Sequence, residues 1–151
     1  DLKFRIEVMK NVILLLFTVL VLSMIGCQDV TVGYLLTEDA SYNPDTLVVK
    51  TVLDDELGEE DYYRSKWGAP WVSTPIEGVE GTIAIYVSIK NITSTSGDPE
   101  KLWKVLSVRG DGTFEIPLYH DVPAGRYVIS LNFRNEGYSK DVNDCFTIIV
   151  K

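Results

Sequence analysis

The sequence predicts an all-β fold, an antiparallel β-sandwich of about seven strands with one short helical insertion. Three observations carry this. After one long apolar run near the N-terminus, no long amphipathic helical stretch follows. Several segments instead alternate apolar and polar residues, which on a strand turns one face to a core and the other to water. Turn residues separate these segments at short intervals.

The composition agrees with one compact domain plus short appendages. Of 151 residues, 46% are apolar and 24% charged, which is globular rather than disordered. A net charge of −8 and a pI near 4.6 argue against a nucleic-acid binder. Two cysteines are too few for a disulfide scaffold or a zinc cluster.

The apolar run, Val12–Ile25, holds no charge and falls short of the ~20 residues that span a bilayer comfortably. Lys10 precedes it and Gly26-Cys27 follows. A basic flank, an apolar centre and a small residue before a cut describe an export signal. A membrane-anchor helix that stays attached is the alternative. Residues 1–8 read as an upstream extension, with Met9 as the start. The expected organisation is a signal peptide over 1–26, a lipidated N-terminus over 27–29 and the sandwich over 30–151.

Met24-Ile25-Gly26-Cys27 resembles a bacterial lipobox. Gly26 and Cys27 match its pattern; Met24 and Ile25 depart mildly from it. The resemblance implies diacylglycerol on the Cys27 sulfur, cleavage before Cys27 and acylation of the new N-terminus. Several acyl chains hold a protein firmly, whereas one binds only marginally. Processing would leave a charge of −9 and Cys145 as the remaining cysteine thiol. Cys145 opens the strand-like run Cys-Phe-Thr-Ile-Ile-Val, which suits a buried, inert thiol.

The strands follow in order. Val30–Leu36 is the first candidate, and the polar turn Glu38–Asp45 separates it from Thr46–Val52. Gly81–Asn91 alternates, with Ile83, Ile85, Val87 and Ile89 on one face. Trp103–Arg109 and Thr113–Leu118 flank Gly110-Asp111-Gly112, a hairpin turn. Arg126–Arg134 directs Tyr127, Ile129, Leu131 and Phe133 inward. Asp144–Val150 is the last strand, reached through Asn135-Glu136-Gly137 and the polar stretch to Asn143. Trp103, at the start of a strand, is expected to pack in the core or at an edge.

Val122-Pro123-Ala124-Gly125-Arg126-Tyr127-Val128-Ile129 resembles the entry to the penultimate strand of an immunoglobulin-like sandwich. Tyr127 would bond back to the preceding loop as a tyrosine corner. Leu118–Lys151 therefore resembles the last two strands of a bacterial immunoglobulin-like or PKD-like domain. The Cys-Trp-Cys core of antibody domains is missing. A lipobox followed by a small acidic β-sandwich is also similar in layout to the accessory lipoproteins of Bacteroidetes-type outer membranes, many of them in glycan-uptake systems of the SusE/SusF kind. That layout implies an outer-membrane lipoprotein with a periplasmic or surface-exposed binding role.

Asp54–Pro75 breaks the β pattern. Glu59–Trp67 can form a short helix, with acids at Glu59, Glu60 and Asp61 in its first turn and Arg64 and Lys66 in its last, matching the helix dipole. Gly68 can cap it in the left-handed conformation, and Pro70 ends it. The segment is longer than a sandwich turn needs, and such loops are often functional. It gathers Tyr62, Tyr63, Trp67 and Trp71. Flat aromatic faces beside carboxylates suit sugar rings: the faces stack on C–H surfaces and acids such as Asp61 or Glu60 accept from hydroxyls. The alternative is that these aromatics close one end of the sandwich.

Other chemistry finds little support. His120 and Asp121 are adjacent, which makes no triad, and no serine nucleophile motif is present. Zinc lacks ligands. Asp54, Asp55, Glu56, Glu59 and Asp61 form one oxygen-rich group, and Asp141, Asn143 and Asp144 a second; neither has EF-hand spacing. The Asp45-Thr46-Leu47 triplet resembles the O-glycosylation motif of Bacteroidetes exported proteins. The sequence thus predicts a non-catalytic protein without a cofactor. Two roles remain open: a glycan-binding accessory lipoprotein, or a structural or assembly subunit that docks another cell-envelope protein through a sheet edge.

Overall fold

The computed structural model describes residues 1–23 and 33–151. Cys27, the predicted lipidation position, lies outside the described residues, as do Met24–Gly26 and the first part of the candidate strand Val30–Leu36. The chain divides into two units, residues 1–32 and 33–151.

In the first unit, Leu2–Ser23 forms helix α1, which takes in the described part of the apolar run and most of the extension before it. It is long and apolar enough to cross a membrane, a test that an N-terminal export signal also meets.

The second unit is β-rich. Along the chain run β1 (Leu35–Leu36), β2 (Thr46–Val49), α2 (Tyr62–Trp67), β3 (Trp71–Val72), β4 (Glu80–Gly81), β5 (Tyr86–Ser94), α3 (Pro99–Val105), β6 (Ser107–Val108), β7 (Phe114–Ile116), β8 (Gly125–Arg134) and β9 (Ser139–Val150). A four-stranded sheet has the order β2-β9-β8-β5, a three-stranded sheet the order β3-β7-β6, and β1 pairs with β4. Phe114 of the smaller sheet stacks on Phe146 of the larger, ring centroids 5.0 Å apart, and Tyr42 packs on both. The core therefore lies between two β layers.

The alternation in β8 places as expected: Tyr127, Ile129, Leu131 and Phe133 are all buried. Phe146, Ile148 and Val150 of β9 join them. The Tyr127 hydroxyl donates to the Pro123 carbonyl at 2.8 Å and accepts from the Asp98 amide at 3.0 Å, so the tyrosine-corner bond forms. Gly97 is required here, because a Cβ would collide with the Tyr127 ring and hydroxyl. The Gly110-Asp111-Gly112 hairpin joins β6 and β7, with the Asp111 carboxylate accepting from the Thr113 amide at 3.0 Å. Buried Asn135 shapes the β8–β9 turn through its side-chain oxygen and donates to the carbonyls of Tyr34 and Thr82, fastening that hairpin to the β1–β4 end.

Several expectations are corrected. The described residues hold nine strands rather than about seven, and β2 runs parallel to β9, so the architecture is mixed rather than antiparallel. Trp103–Arg109 is not one strand: Trp103, Lys104 and Val105 end α3, and only Ser107–Val108 forms a strand. The Asp98 carboxylate caps that helix by accepting from the amides of Glu100 and Lys101, Pro99 opens it, and Leu102 and Leu106 are buried one turn apart. The fold is β-rich, but among the described residues it has two short helices besides α1 rather than one helical insertion. Trp103, on the outer side of α3, is about half exposed. Ile83 precedes β5 and stands in solvent, while Ile85, Val87 and Ile89 are half-buried. β9 begins at Ser139 rather than Asp144, because an irregularity opposite Ser130 absorbs extra residues. Asp144 takes φ of 49° there, and its amide donates to the Ser130 hydroxyl at 2.8 Å.

Candidate functional site

The insertion forms its helix close to where the sequence places it. Gly68 closes α2 at φ 63°, its amide and that of Ala69 returning to the carbonyls of Ser65 and Arg64. Asp61 occupies the N-cap position, yet its side chain makes no cap bond. It is buried and accepts instead from the Lys50 ammonium at 2.8 Å and from the Asp54 amide at 3.1 Å. Lys50 also reaches Glu60 at 3.1 Å and Asp54 at 3.8 Å. One ammonium just beyond β2 thus gathers three carboxylates and ties the insertion to the larger sheet. Hydrogen bonding to Lys50 is the main cause that holds the Asp61 carboxyl below its ordinary range. The same bond, aided by Glu60, raises the Lys50 ammonium.

The four aromatics separate. Tyr63 and Trp67 lie four residues apart on one face of α2. Their ring centroids are 5.3 Å apart, tilted by 36°, and they are 60% and 73% exposed. Tyr62 meets Tyr63 edge-on at 5.1 Å and is half-buried, with the Lys66 ammonium 5.7 Å from its centroid. Trp71 is buried in β3; its indole donates to the Leu118 carbonyl at 3.3 Å and the Arg64 guanidinium lies 4.3 Å from its ring centre. Of the predicted residues, then, Tyr63, Trp67 and Glu60 are exposed, and Tyr62 is partly so. Trp71 and Asp61 are corrected to structural positions: one fills the core and the other is consumed by the lysine clamp.

Beside α2 opens a groove of about 500 Å³. Gly68 and Pro70 form one side, Val105 and Ser107 another, and Glu115 with Pro117–Tyr119 the rest. Tyr119 is 69% exposed, its hydroxyl 3.5 Å from the Ser65 hydroxyl of α2. Glu115 is ion-paired with Arg109 across the β6–β7 hairpin. Tyr119 lies outside the sequence-predicted site. Its signal is an aromatic that follows the alternating buried residues Phe114, Ile116 and Leu118, which sends it outward.

The remaining candidates resolve into structural roles. The His120 Nδ1 accepts from the Val122 amide at 3.3 Å, and Asp121 pairs with Lys101 at 3.4 Å rather than with the imidazole. Both oxygen-rich groups contain a cation of the chain's own: Lys50 in the first, and in the second Lys90, 2.8 Å from Asp141 and 3.3 Å from the Asn143 side-chain oxygen. Burial, the main cause, pushes the half-buried Cys145 thiol up to about 11.

The chain matches no protein-family model, and no curated protein matches it. Among solved structures it is similar to a SusE-like surface-located polysaccharide-binding protein from the heparin utilisation locus of Bacteroides thetaiotaomicron, at 15% identity and a TM-score of 0.49. The match covers 79% of this chain and 15% of that one, so the chain spans a small part of the protein it resembles. A likeness that remote assigns neither fold nor ligand.

Proposed function

We propose that this chain is a cell-envelope lipoprotein, held at the outer membrane by acyl chains on Cys27, and that its β domain is an immunoglobulin-like, non-catalytic glycan-binding module. Two packed β layers and the Tyr127 corner bond support the immunoglobulin-like reading. One observation carries the binding role: Tyr63 and Trp67 present adjacent, largely exposed rings on a helix fastened by Lys50. Rings held in that way stack on the C–H faces of a sugar without first being ordered. Glu60, an exposed carboxylate three residues before Tyr63 that also accepts from Lys50, would accept from sugar hydroxyls, with Tyr62 flanking.

Affinity electrophoresis of the wild type and of Trp67→Ala through gels containing polysaccharides tests the binding role. The expected result is retardation of the wild type by a polysaccharide and loss of that retardation in Trp67→Ala at unchanged melting temperature. Mass spectrometry of the membrane fraction tests the anchor; an N-terminal, lipid-modified Cys27 is expected, and an unmodified chain retaining Lys10–Gly26 refutes it.

A second reading, an assembly subunit, is favoured by β5. This nine-residue strand lies at the edge of the larger sheet, with Tyr86 exposed at its start. Co-purification with an envelope protein, in the absence of polysaccharide binding, selects it.

A further inference from the structure

We propose that the groove between α2, α3 and Tyr119 is the channel for the glycan chain and that it accepts a neutral glycan rather than a sulfated or uronic one, an inference that rests on the glycan-binding reading above. Its electrostatics decide the class. Among its described lining residues Glu115 bears the only formal charge, and that carboxylate is paired with Arg109. No lysine or arginine is among those described lining residues. On α2, Arg64 is committed to the Trp71 ring and donates to the Pro70 carbonyl at 3.0 Å, and the Lys66 ammonium lies 5.7 Å from the Tyr62 ring centre. Both helices also meet the groove at their C-terminal ends, through Gly68 and Val105, where the backbone dipole presents partial negative charge. A sulfate or carboxylate entering here would meet no cation among the described lining residues and would face acceptors.

A neutral chain finds the reverse. Carbonyl ends, the Glu115 carboxylate and the Ser107 hydroxyl can accept from sugar hydroxyls, and Tyr119 offers an exposed ring. Gly68 directly follows Trp67, so the groove begins where the exposed aromatic pair ends. Tyr119 is thereby a second stacking residue on a different element from the first.

The test uses the detergent-purified full chain in affinity electrophoresis at low ionic strength, where attraction between opposite charges is least screened. The probes are dextran, mannan and xylan as neutral polysaccharides, and heparin and polygalacturonate as anionic ones. The expected result is retardation by a neutral polysaccharide, weakened about tenfold or more in Tyr119→Ala, with no retardation by either anionic one. Melting temperatures of Tyr119→Ala and Tyr119→Phe, together with binding by the latter, separate loss of the ring from loss of the fold. Tyr119-dependent retardation by heparin or polygalacturonate overturns the neutral class and leaves glycan binding standing. Neutral binding lost in Trp67→Ala but unchanged in Tyr119→Ala overturns the groove. Retardation by none of the five defeats the glycan reading, and this inference with it.

Discussion

Trp67 and Trp71 lie four positions apart, and the chain puts them to opposite uses. Gly68 reverses the backbone between them, so one stays on the helix surface while the other enters β3 and the core. Composition reveals that aromatics cluster in this segment but not which of them a cap turns inward. Asp61 is a similar case. Its place among acids at a helix start suggested a free acceptor, whereas Lys50, eleven residues earlier, takes it up. Replacing Asp61 by Asn should therefore loosen the insertion: limited proteolysis is expected to cut near α2 in the variant under conditions that spare the wild type. Intact resistance would show that Lys50 fastens nothing. Cys145 yields a chemical prediction at the same scale. With its thiol raised to about 11 it stays protonated at pH 8, so a thiol reagent should modify it far more slowly in the folded chain than after unfolding. Peptide mapping assigns the label to Cys145.

The elements differ in how plainly the sequence announces them. β8 was legible because strict alternation and the Pro-Gly-Arg-Tyr entry agree with one another. α3 is hard to see because the candidate strand Trp103–Arg109 is rich in strand-forming residues, while the helix's start signals, Asp98 and Pro99 ahead of Glu100, lie upstream of it. The direction of β2 was beyond reach, since a period-two pattern reads the same for parallel and antiparallel neighbours. The clamp on α2 makes a pH prediction. The Asp61 carboxyl is depressed on folding, so its stabilisation is complete above the ordinary carboxylate value and fades as pH falls through the folded one. Urea unfolding should thus lose more stability between pH 7 and pH 3 in the wild type than in Asp61→Asn. Equal losses would remove Asp61 as a contributor.

At the scale of the molecule, one core joins both sheets, and β8 and β9 form its centre. Leu131→Ala empties a fully buried position in β8 and should cost about 2–5 kcal/mol, read as a lowered urea midpoint. Of the candidate site, the sequence disclosed the exposed pair on α2, because Tyr63 and Trp67 are joined by helix spacing alone. The groove was hidden, because Gly68, Val105, Glu115 and Tyr119 meet through contacts between distant segments. The central claim, that Tyr63 and Trp67 form a ligand-stacking surface while Trp71 holds the core, is tested most directly by measuring polysaccharide retardation and melting temperature on Trp67→Ala and Trp71→Ala side by side. Trp67→Ala is expected to melt like the wild type and lose retardation, and Trp71→Ala to melt ~10 °C or more lower for a loss of about 3–5 kcal/mol. A Trp67→Ala protein that still binds, or that melts as early as Trp71→Ala, would contradict the claim.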